Sequence, residues 1–179
     1  MKKIKILMVI IVFLLSFFVH YIYTWFPSFF TSIFFPVNES VWEHMKIIYT
    51  SILVSSIIEK SIYKYKKIKV NNFFISIPII SIIGIFVYLI INSLMEKVIP
   101  HSLVVSIILL LIVYIICEVV SYYILKAKLF KNQKIIGIFL IILSYLIFTY
   151  LTYNPLKTYL FLDTQTNTYG IINKRRAIY

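Results

Sequence analysis

Charge is scarce in this sequence. Asp, Glu, Lys and Arg together make up 13% of its 179 residues, against roughly 25% in a soluble domain. A chain so poor in charge could not solvate its own surface as a water-soluble globule. A single cysteine, Cys117, excludes an intramolecular disulfide and a Cys-x-x-Cys metal pair, and its place in an apolar run points to packing. The three glycines, Gly84, Gly137 and Gly170, leave no Gly-rich phosphate loop and no Gly-x-Ser-x-Gly nucleophile elbow. There is no His-Glu-x-x-His zinc signature and no internal repeat.

What is present is apolar. Hydrophobic residues are 61% and the mean hydropathy is +0.96. A membrane span needs roughly 20 residues, so the apolar supply suffices for about five. The expected fold is all-α: one integral membrane domain over 1–179, a bundle of about five transmembrane helices plus a short interfacial segment.

Span one runs from about Ile6 to Trp25. The basic start Met1-Lys2-Lys3-Ile4-Lys5 resembles a signal peptide, but no small-x-small cleavage site follows, so an uncleaved first span is expected. Tyr21, Tyr23 and Trp25 form an aromatic belt at its end. Phe26 to Phe35, between Pro27 and Pro36, is too short to cross and reads as interfacial or re-entrant. Span two reaches back from Ile62 to Glu43, with Asn38 as its expected N-cap and Glu39 in the first turn. Ser51 and Ser55 suit close helix packing. Spans three, four and five cover about Val70–Leu94, His101–Leu125 and Ile135–Tyr153, with Pro78 and Gly84 as kink points in span three. Residues 154–179 form a polar outer tail.

The net charge of +12 sorts by side. Lys2, Lys3 and Lys5 lie with two basic loops, Lys60–Lys69 and Lys126–Lys134. Fewer basic residues, Lys46, Lys97, Lys157 and Lys174–Arg176, fall opposite. The positive-inside rule then puts the N-terminus in the cytoplasm and the C-terminus outside, in a multi-pass cell-membrane protein. The rule also accounts for the charge without nucleic acid, which is not expected as a partner; the bilayer is.

This threading collects rare side chains on the outer side. His20 lies about 7 Å inside the end of span one, and an ionisable group at depth usually faces a partner. Glu39, Glu43 and His44 open span two, His101 opens span four, and Asp163 sits in the tail. Glu59 and Glu118 stay at the inner end, where Glu59 beside Lys60 looks like an ordinary interface residue. Imidazole and carboxylate are the usual ligands of Zn²⁺ or a similar divalent ion. The expected metal ligands are therefore His20, Glu39, His44, His101 and Asp163. Glu43 is the expected catalytic base, with the tail as a lid. Glu39 and Glu43, four apart, would share a helix face, with His44 about 100° away, so both faces cannot be central to one site.

The stretch Pro36-Val37-Asn38-Glu39-Ser40-Val41-Trp42-Glu43-His44-Met45-Lys46 resembles a family of small bacterial integral membrane proteins known as domain of unknown function 6512. The family pairs this motif with an upstream histidine, here His20. Its tail stretch is matched by Leu160-Phe161-Leu162-Asp163, Thr168 and Tyr169-Gly170-Ile171. The resemblance covers nearly the whole chain. Asn167 stands where the family has Gly, which puts a tight turn there in doubt. The family carries no assigned activity, so the resemblance implies a shared outer-face feature and no chemistry.

Three functions compete. The leading one is an outward-facing His/Glu site that binds a metal or cation and is hydrolytic. The second is a small transporter with Glu39 and Glu43 lining a passage; five spans without a repeat then imply a homo-oligomer. The third is a structural or accessory protein in which the motif only caps and anchors a helix.

Overall fold

A computed structural model describes residues 1–95 and 103–171. His101 and Lys174–Arg176 therefore lie outside the described residues. The described chain is helical: α1 Lys2–Trp25, α2 Phe29–Phe34, α3 Val41–Tyr65, α4 Phe73–Met95, α5 Leu103–Lys126 and α6 Gln133–Tyr153. A 3₁₀ turn, Tyr159–Phe161, and a hairpin of β1 (Leu162–Asp163) with β2 (Thr168–Tyr169) follow.

Four of these helices, α1, α4, α5 and α6, are long and apolar enough to cross a membrane. The fifth expected span, α3, is 25 residues long, about 37 Å at 1.5 Å per residue. It is less apolar because it is the inner helix of the bundle. Glu43, Lys46, Thr50, Ser51, Ser55, Ser56 and Glu59 are all buried along it. A helix surrounded by protein can carry polar groups that a lipid-facing helix cannot.

α1 and α3 lie antiparallel along their whole length. At one end Lys5 of α1 meets Glu59 of α3 at 2.5 Å and Glu118 of α5 at 2.8 Å, and it also donates to Ser121 Oγ at 2.6 Å. At the other end His20 of α1 faces Glu39, just before α3. The pairing of Glu59 with Lys5 corrects the expectation that Glu59 is an ordinary interface residue beside Lys60, whose ammonium instead sits 4.1 Å over the Phe74 ring.

Local sequence explains the helix ends. α2 begins in a reciprocal capping box of Ser28 and Thr31 and stops before Pro36. α3 is capped by Ser40, whose Oγ accepts from the Glu43 amide at 3.3 Å. Asn38, the expected cap, instead accepts from the Ser40 amide and donates through Nδ2 to the Gly170 carbonyl at 2.9 Å. The helix thus starts two residues later than expected. Glu43 occupies its first turn, while Glu39 precedes the helix and does not share its face.

α4 runs unbroken through Pro78. Proline lacks the amide that would serve the Phe74 carbonyl one turn earlier. Gly137 of α6 packs directly against that carbonyl, where a Cβ would find no room. Gln133 Oε1 accepts from the Phe74 amide at 3.0 Å, so α6 docks on the first turn of α4. Cys117 is buried as expected, its thiol donating to the Ile80 carbonyl.

Candidate functional site

Three local features bring His20, Glu39 and His44 together. α1 carries His20 less than two turns before its end. The turn from Pro36 to Ser40 presents Glu39, and His44 stands in the first turn of α3. One carboxylate oxygen of Glu39 lies 3.5 Å from His20 Nε2 and the other 3.5 Å from His44 Nε2. The two imidazole centroids are 5.6 Å apart, and one ligand atom from each residue falls within 4.8 Å of the others. The side chains are partly open, at 22%, 28% and 36% for His20, His44 and Glu39.

Those separations exceed a good N–H···O hydrogen bond of about 2.7–3.2 Å. Each is near the spacing of about 3.4 Å between two ligands of one tetrahedral ion at about 2.0–2.1 Å from the metal, while the three ligand atoms together lie within 4.8 Å of one another. The orientation of the His44 ring agrees with this. Its Nδ1 lies 2.9 Å from the Ser40 carbonyl. A carbonyl only accepts, so Nδ1 carries a proton and Nε2 is the ring nitrogen turned toward Glu39. In the neutral ring Nε2 is a lone pair able to ligate a cation, and in the imidazolium it is a second N–H facing the carboxylate. Two imidazoles and one carboxylate with an open position are the donor set of catalytic zinc and of facial-triad iron sites. The residues therefore fit a divalent ion, and the Ser40 carbonyl supplies the outer contact that orients a ligating histidine.

The triad borders a cavity of about 540 Å³. α1 contributes Ser16 and Phe17 below His20, and α3 contributes Ile47 below His44. Tyr88 and Asn92 come from α4, and Ser106, Ile107 and Leu110 from α5. Tyr159, Leu162, Thr164 and Gln165 of the tail line the same space.

Glu43 is not among the three. It is buried against Lys46, 2.7 Å away. Its Oε2 also accepts from the Val37 amide at 3.0 Å, and its Oε1 from Thr152 Oγ1 at 2.7 Å. Lys46 donates to the Ser32 carbonyl at 2.8 Å. Both charges are thus paired and hydrogen-bonded, the condition for burying an ion pair. The pair ties α2 and the Pro36–Ser40 turn to α3 and α6, and so holds Glu39 in place.

Asp163 is also buried, at 2% exposure. Its carboxylate accepts from the Gln165 amide and from Thr166 Oγ1, both at 2.9 Å. It shapes the turn that carries Thr164 and Gln165 to the cavity, and it lies outside the His20–Glu39–His44 group. Asn167 adopts φ +55° in that turn, the left-handed conformation that Asn tolerates best after Gly, so a tight turn forms despite the departure.

The two distant motif stretches meet in space. Asn38 bonds Gly170, and Trp42 stacks on Phe161 with ring centroids 4.9 Å apart. Sequence reasoning missed the burial of Lys46, counted among the outer surface charges. Its flanks Met45 and Ile47, with Glu43 three residues back, were the available signal. It also missed Ser16, Tyr88 and Ser106, which nothing in their sequence neighbourhood marks.

The family described as Family of unknown function (DUF6512) matches residues 1–171. No curated protein and no solved structure matches the chain.

Proposed function

We propose that this chain, which belongs to the Family of unknown function DUF6512, is a five-span membrane protein holding a divalent metal ion, such as Zn²⁺, on its outer side for hydrolysis. The observation that carries this reading is Glu39 set between His20 and His44, one oxygen 3.5 Å from each Nε2. The Nδ1 contact of His44 with the Ser40 carbonyl supports it by turning Nε2 into the group. A bound ion supplies Lewis-acid chemistry at the wall of the cavity. Within this reading Glu43 and Lys46 hold the turn that bears Glu39, and Asp163 holds the tail hairpin over the cavity.

α3 is the fifth crossing. It is as long as α1, and Glu59 and His44 meet α1 side chains or their neighbours at opposite ends. The lysine-rich loops 66–72 and 127–132 share the end that holds Lys5. The N-terminus is therefore cytoplasmic and the tail outside.

The test is metal content. Full-length protein purified in detergent and dialysed against Zn²⁺ is expected to retain one ion per chain by mass spectrometry. His20→Ala and His44→Ala should each lose most of it, while Asp163→Asn keeps it. Gel filtration and helical content confirm that the variants are folded. Equal zinc in the wild type and the folded histidine variants would overturn the reading.

A further inference from the structure

We propose that the cavity beside His20, Glu39 and His44 takes a neutral amphiphile, with an uncharged ester or amide head at the ion and an alkyl chain along Phe17, Ile47, Ile107 and Leu110. This names the substrate class of the same site and rests on the metal reading above.

The cavity has the size and character for such a ligand. At about 540 Å³ it falls within the roughly 300–1,000 Å³ of small-molecule sites, which are mostly apolar with a few placed polar groups. Ser16 and Ile47 lie about one turn deeper than His20 and His44, and one helical turn is about 5.4 Å. The space therefore runs from the ligand group into the bundle. Its polar tail residues, Thr164 and Gln165, belong to the hairpin outside the helices. A polar head at the triad with an alkyl chain along Phe17, Ile47, Ile107 and Leu110 fits that lining, in which Ser16, Tyr88, Asn92 and Ser106 stand among the apolar side chains.

Charge selects the head. Among the described residues, no lysine or arginine lines the cavity. A divalent ion with the Glu39 carboxylate leaves a net charge of about +1, assuming neutral imidazoles as metal ligation requires. A phosphate monoester, at about −1.5 to −2 near neutral pH, would find no second cation among the described residues. An uncharged carbonyl needs none, because a bound ion would polarise it. Hydrolysis is balanced with water alone. The water oxygen bonds to the carbonyl carbon, the C–O or C–N bond breaks, and a water proton passes to the departing alcohol or amine, leaving the acid.

The experiment uses zinc-loaded full-length protein in nanodiscs, titrated by calorimetry with alkyl hydroxamates from acetyl to octanoyl. Empty nanodiscs provide the correction for partitioning. Each methylene buried from water is worth about 0.8 kcal/mol. With tenfold in Kd equal to about 1.4 kcal/mol, affinity should rise about fourfold per methylene until the cavity is full. Leu110→Trp, which blocks the chain path without touching the triad, should keep zinc and acetohydroxamate binding but flatten the series. Ile107→Phe is the second variant should Leu110→Trp fail to retain zinc. A flat series in zinc-loaded wild type overturns the amphiphile and leaves the metal reading standing. Octyl phosphate binding more tightly than octanohydroxamate overturns the neutral head. Failure of the wild type to hold zinc removes both.

Discussion

Lys46 Nζ lies 2.7 Å from Glu43 Oε2, one turn apart on α3, and neither side chain is open to solvent. Removing one partner strands the other charge in the bundle, which costs about 3–5 kcal/mol. Glu43→Ala is therefore expected to lower the thermal midpoint in detergent sharply. The double replacement Glu43→Leu with Lys46→Met should lower it less, since no lone charge remains. A single variant as stable as the wild type would remove the pair as the element that holds α2 and the Glu39 turn.

The Asn38–Gly170 bond ties the tail to the start of α3. Its loss is worth about 1 kcal/mol locally, enough to change how often the tail opens without unfolding the bundle. Asn38→Ala should speed tryptic cleavage after Lys157 several-fold, with the helical content unchanged. Identical cleavage rates would mean that the tail is held elsewhere.

Acid should expel the ion. A ligating imidazole must be unprotonated, so metal binding releases protons and weakens as pH falls. Zinc retained after equilibration is expected to drop between about pH 8 and pH 5, the range in which histidine ordinarily changes charge. Retention that does not change across that range would exclude the two imidazoles as ligands.

The number of crossings is testable by labelling. Phe30, on α2 before α3, and Tyr65, at the end of α3, are 74% and 86% exposed. Phe30→Cys should react with a membrane-impermeant maleimide on intact cells, and Tyr65→Cys should resist it. Buried Cys117 gives little background. Equal labelling of both sites would eliminate α3 as a fifth crossing.

The apolar spans were legible in the sequence because the hydropathy of a 20-residue run is local. The short segment before Pro36 was legible for the same reason, through its length and its prolines. His20, Glu39 and His44 stood out because ionisable residues are so few. Their partners were less legible. Placing the cap on Asn38 instead of Ser40 put Glu39 and Glu43 on one helical face. A shift of two residues then sent one carboxylate to the histidines and the other to a buried lysine. Lys5 and Lys46 were read as ordinary flanking charges, since counting by side says nothing of burial.

Composition and order along the chain thus determined a helical fold with segments apolar enough to cross a membrane, and a shortlist of rare polar residues, because each rests on runs of neighbours. The three-dimensional arrangement decided which acid meets which base. Glu39 reaches His20 across 19 positions of chain and Glu43 reaches Thr152 across 109. Such pairings depend on how helices pack and where each begins, and a contact between distant segments leaves no local pattern to read.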